Sequence, residues 1–113
     1  MDVVAGQCGP PSLSAVVAME LLAGDRPRGP LVAWTAKFQR AGRLLVPGWQ
    51  VFALAAGVLR RLRAHGPTAA RLTNDILIAM TARAEGLRLY TTNARDFRRI
   101  AAVEPFDLVI VGS

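Results

Sequence analysis

Three carboxylates and one amide stand at positions where their chemistry would matter. Glu20 is the only charge between Ser12 and Ala23, and its helical neighbours three and four positions away are Val16, Val17, Ala23 and Gly24. A carboxylate aimed into such a face costs on the order of several kcal/mol unless a cation or hydrogen-bond donors meet it. An acid pairing with Arg26 or Arg28 at the helix end, or reaching solvent, fits the same residues. Asp75 opens the apolar run DILIAMTA, where the positive end of a helix dipole keeps a carboxylate ionised. That suits a metal ligand and equally an ordinary first-turn acid. Asn93 and Asp96, in TTNARDF, follow directly on LRLYT, at the strand edge where open α/β sheets place their binding sites. Their spacing of three also suits a capping pair.

Together these groups could bring oxygens to one cleft, and a set of oxygen-only ligands selects Mg²⁺ or Mn²⁺. Such ions would activate water and steady the charge that develops on a phosphodiester during in-line hydrolysis. Arg71, Arg95, Arg98 and Arg99 lie beside the proposed cleft, either as contacts to phosphates or as solvated helix faces.

The elements that must position these residues alternate between helix and strand. Ser12 to Ala23 reads as a helix with Ser12 or Ser14 as N-cap and Gly24 as its stop. After the loop GDRPRGP, residues 31–41 have helical spacing and end at Gly42; LLV at 44–46 is a short strand closed by Pro47-Gly48. Trp49 to Ala64 is a helix with arginines at its end, complementing the dipole, and His65-Gly66-Pro67 breaks it. Thr73 or Asn74 is positioned to cap a helix from Asp75 to Glu85, ended by Gly86. A strand at 87–91, a helix capped by Asn93 through about Ala102 and a buried strand at 107–111 complete an α/β pattern.

At 113 residues, 52% apolar and 19% charged, the chain is one small packed domain. The lone Cys8 cannot form an internal disulfide and the lone His65 cannot build a Cys/His zinc site. A reducing cytoplasm is the expected compartment. The N-terminus lacks the pattern of a targeting signal. The longest uncharged apolar run, Val51 to Leu59, falls far short of the roughly 20 residues needed to cross a bilayer. Fourteen basic residues, all but Lys37 arginine, against eight acids give a net charge of +6. RNA, DNA or an acidic partner segment would each suit that charge.

Three segments, in order, resemble parts of the PIN domain family, which includes the VapC-type toxins. SAVVAMELLAG resembles the family's Glu-bearing helix, with Glu20 in that role. RAGRLLVPGWQVFALAAGVLRRL resembles its strand, proline turn and long helix. LTNDILIAMTARAEGLRLYTTNARDF, residues 72–97, resembles its central block, with Asp75 as an acid and Thr91, Asn93 and Asp96 in a T-x-N-x-x-D-F pattern.

The resemblance implies a PIN-like α/β domain over 12–113, with a small central parallel sheet flanked by helices, after an irregular segment at 1–11. It further implies Mg²⁺-dependent (or Mn²⁺-dependent) RNA cleavage, with Glu20, Asp75 and Asp96 catalytic and Asn93 joining them at the metal. Asn74 and Thr91 would support the site. A small antitoxin-like protein and a second copy of the chain are the partners it implies.

The resemblance breaks at the start. The family opens with an apolar strand ending in Asp, followed by Thr or Ser and then a helix, whereas here Asp2 stands 18 positions before Glu20 with Gly and Pro between. Without that piece the site loses a carboxylate and the sheet an interior strand, exposing unpaired edges. A misplaced start codon, a truncated gene or a degenerate copy would each produce this pattern. Three functions are compatible with this sequence: a toxin-type ribonuclease, a non-catalytic remnant that binds RNA or an antitoxin-like partner, and a structural module whose acids are caps.

Overall fold

The computed structural model describes residues 3–6, as backbone, and 11–112. Asp2 and Cys8 lie outside the described residues. The elements in chain order are β1 (Val3–Gly6), β2 (Leu13–Ser14), α1 (Ala15–Ala23), α2 (Arg28–Arg40), β3 (Leu44–Leu45), α3 (Trp49–Leu62), α4 (Gly66–Ala84), β4 (Arg88–Thr91), α5 (Ala94–Val103) and β5 (Leu108–Ile110).

Helix α4 is the spine. Its 19 residues bury Leu72, Ile76, Leu77, Ile78, Ala79, Met80, Thr81 and Ala82, so from Ile76 onward it is apolar nearly all round and is enclosed by its neighbours. Val51, Ala55 and Val58 of α3 meet it at spacings of four and three, Phe97 and Ile100 of α5 at a spacing of three, and Val16 and Val17 come from α1. Strand β4 follows through Glu85-Gly86, where Gly86 takes a φ of +66° and the Leu87 N–H donates to the Ala82 carbonyl at 2.9 Å. That left-handed turn favours glycine and reverses the chain directly into the strand.

The expected α/β fold with parallel strand pairing is present, its strands divided between two small sheets. One has the order β1-β4-β5, with β1 antiparallel and β5 parallel to β4; the other pairs β2 and β3 in parallel, Leu13 beside Leu44. In β4, Leu89 and Thr91 are buried while Arg88 is exposed and Tyr90 half-buried, the alternation of a strand with one face on the core. The segment expected to be irregular, 1–11, contributes β1. Val3 and Val4 are β-branched, and pairing with β4 satisfies backbone groups that would otherwise form an open edge.

Two helix starts also differ. Leu13 and Ser14 are strand rather than helix, because their backbone pairs with β3; the Ser14 hydroxyl then caps α1, accepting from the Val16 N–H at 3.1 Å. Helix α4 begins nine residues before Asp75. His65 is extended and Pro67 sits in the first turn, where its missing N–H and fixed φ are no handicap. His65-Gly66-Pro67 thus ends one helix and starts the next. Thr73 and Asn74 lie inside α4 rather than capping it, and the Thr73 hydroxyl donates to the Ala69 carbonyl at 2.7 Å.

Helix α2 contrasts with α4, since it buries no residue and holds to the core through half-buried Trp34 and Phe38, whose rings meet edge-on at 4.9 Å. Among the described residues no helix is long and apolar enough to cross a membrane.

Candidate functional site

The turn from β4 into α5 builds a compact polar centre. Thr91 ends the strand with its side chain buried, and its hydroxyl accepts from the Asn93 N–H at 3.0 Å. Asn93 caps α5, its Oδ1 accepting from the Asp96 N–H at 3.4 Å. The Asn93 Nδ2 donates to Asp96 Oδ2 at 3.3 Å. Sequence spacing anticipates this pair, and here the capping arrangement holds.

Asp96 is only 5% exposed. Its main partner is distant in sequence: Arg71, in α4, donates from Nη1 to Oδ1 at 2.9 Å and to Oδ2 at 2.8 Å. Arg95 adds a longer contact, Nε to Oδ1 at 3.4 Å. Burial pushes the Asp96 carboxyl up, but the hydrogen bonds from Asn93 and Arg71 and the charges of Arg71 and Arg95 outweigh it. The net effect lies below the ordinary aspartate range. Asp96 is therefore an ionised carboxylate whose charge is already met.

The remaining acids stand differently. Asp75, half-buried, lies in the interior of α4, so the helix end does not act on it as the sequence suggested. It is one turn beyond Arg71 on the same face, which puts Arg71 next to the positions of both aspartates. Asn74 is half-buried beside it. Glu20 is exposed: α1 buries Val16, Val17 and Ala18, and both Met19 and Glu20 face away from that contact. The apolar neighbours that made Glu20 conspicuous do not enclose it, and among the described residues it has no ion pair.

Arg95, Arg98 and Arg99 are all exposed, at the i, i+3, i+4 spacing of one helix face. Phe97 and Ile100 fill the opposite face. Helix α5 is thus amphipathic in the plain sense, with an apolar side on α4 and a cationic side in water.

The PIN domain profile matches residues 2–103. The chain belongs to the PIN domain family. The match includes residue 2 and the segment carrying β1 as well as the whole of the β4–α5 turn. Comparisons with curated proteins and with solved structures return no match.

PIN domains have a nuclease-like fold and generally bind divalent metal ions. Among the described residues, no group of three His, Cys, Asp or Glu side chains is placed to hold a metal. Glu20, Asp75 and Asp96 are not gathered into one such group, and both oxygens of Asp96 already accept from Arg71. A cation would have to displace a guanidinium from a buried carboxylate. Among the described residues, then, the Asp96 carboxylate is committed to Arg71 and no three acids converge on one cation position.

The pairing of Arg71 with Asp96 is the feature that reading the sequence missed. Arg71 stands out there only as a basic residue near the central block, and 25 positions separate it from Asp96. Only the packing of α5 on α4 brings the two together.

Proposed function

We propose that this PIN domain is of the VapC-type kind and binds RNA through the cationic face of α5 without cleaving it. The observation that carries this reading is the contrast within one helix turn. Asp96 is neutralised chiefly by Arg71, while Arg98 and Arg99, and Arg95 apart from its 3.4 Å contact to Asp96, are exposed to water with a chain charge of +6 behind them. Arginines so placed supply the phosphate contacts that dominate RNA affinity and make it depend on salt. In this setting the cytoplasm is the compartment, and a small antitoxin-like protein and a second copy of the chain are the expected protein partners.

A second reading is Mg²⁺-dependent RNA cleavage, favoured by membership of a family with a nuclease-like fold. It requires Asp96 to be freed from Arg71 and to share a metal with Asp75 and Glu20. One experiment separates the two: labelled single-stranded RNA is incubated with the chain, with and without Mg²⁺ or Mn²⁺, and both binding and fragment length are followed. RNA binding without cleavage, weakened when Arg98 and Arg99 become Ala, supports the first reading. Cleavage that needs the metal and disappears in Asp75→Ala supports the second.

A further inference from the structure

A second cluster of arginines lies away from Asp96. Helix α3 ends in Arg60 and Arg61, with Arg63 at its C-cap, and together with Gly57 these residues line an open cavity of about 570 Å³. Cations at a helix C-terminus complement the dipole, which accounts for Arg60 and Arg61 in the last turn. It does not account for Arg63. Its φ is +54°, the one positive value at a residue other than glycine among the described residues. Beyond the ends of α2 and α4, glycines take that conformation, Gly42 and Gly86. A side chain there crowds the following carbonyl, so an arginine is held in a conformation that glycine would adopt more easily.

The three side chains are not equally free. Arg61 donates from Nη1 to the Val103 carbonyl at 3.1 Å and lies 3.5 Å from Glu104 through Nη2. It is thereby fixed against the C-terminal end of α5. The Arg63 backbone N–H donates to the Arg60 carbonyl at 3.1 Å, but among the described residues the side chains of Arg60 and Arg63 have neither a hydrogen bond nor an ion pair. The cavity therefore has two uncompensated guanidinium groups beside a third that is already oriented. Arg61 ties the cavity to the C-terminal end of α5, at Val103, eight residues along that helix from Arg95, about 12 Å at 1.5 Å per residue.

We propose that the cavity lined by Arg60, Arg61 and Arg63 binds backbone phosphates of an RNA strand that continues from Arg95, Arg98 and Arg99. This site rests on the RNA-binding reading above. Arg60 and Arg63 contact phosphate oxygens, for which a guanidinium fork is well shaped. Arg61, held by Glu104 and Val103, positions the wall between them.

The test uses the full chain and a labelled single-stranded RNA, with affinity measured by fluorescence anisotropy across a salt series for wild type, Arg60→Gln and Arg63→Gly. Each variant should bind several-fold more weakly at low salt and should flatten the dependence of log affinity on log salt by about 0.7, the value for one phosphate contact on a single strand. Arg63→Gly should also raise the melting temperature, since glycine relieves the left-handed backbone. Weaker binding by a more stable protein separates a phosphate contact from a structural role. Wild-type binding with an unchanged slope in both variants would overturn this site and leave the RNA-binding reading intact. No wild-type binding would overturn both. Inorganic phosphate should compete no better than sulfate at matched ionic strength; saturable competition by phosphate alone would assign the cavity to a free anion instead of RNA.

Discussion

At the start of α5, Asp96 is buried and its carboxylate meets Arg71, Asn93 and Arg95; at the end of α1, Glu20 is exposed and has no ion pair among the described residues. Both are single acids near apolar residues. The difference lies in what the rest of the fold brings to each. Asp96 follows a strand whose end is packed against α4, so an arginine from α4 reaches it. Glu20 sits two residues past the buried part of α1 and is exposed. A buried charge persists only where donors meet it, and Asp96 is accordingly part of the structure as well as part of any site.

The two acids should differ most in what they contribute to stability. Asp96→Ala should cost about 2–3 kcal/mol, because it removes charge-assisted hydrogen bonds to a buried group, moderated because the Arg71 side chain is 44% exposed. Urea denaturation checks the value. The pH dependence follows the sign of the Asp96 shift. Its folded-state pKa is lowered, so its contribution is fully present above the unfolded value of about 3.9 and is lost as pH falls through the folded value. Wild type should therefore lose its advantage over Asp96→Asn below about pH 4, and a constant gap through that range would show that the ion pair is not its source. Asn93→Ala removes the cap and one donor, and should cost about 1 kcal/mol. Glu20→Ala should change stability by less than about 0.5 kcal/mol. A Glu20 effect as large as that of Asp96 would break the contrast.

Local signals account for much of what could be read in advance. Helix spacing in Val51, Ala55 and Val58, the alternation in β4 and the Asn93 cap all depend on neighbours a few residues away. Non-local events account for the rest. Leu13 and Ser14 look like the start of a helix until β3 pairs with them. Gly66 and Pro67 look like a stop, because a helix break and a first helical turn share the same residue types. Asp75 gains or loses the helix end with that choice. Strand β1 depends on a partner more than 80 residues later, and neither Glu20's exposure nor the grip of Arg71 on Asp96 follows from local spacing. The arginines closing α3 look like ordinary dipole partners until the left-handed backbone at Arg63 is seen.

In the proposed function the chain holds RNA while Arg71 keeps Asp96 out of metal chemistry. The most direct test is incubation of labelled RNA with wild type and with Asp96→Asn, in Mg²⁺, followed by parallel measurement of bound fraction and fragment length. Salt-sensitive binding of intact RNA by wild type is the expected result. Mg²⁺-dependent cleavage by wild type that Asp96→Asn abolishes would contradict it.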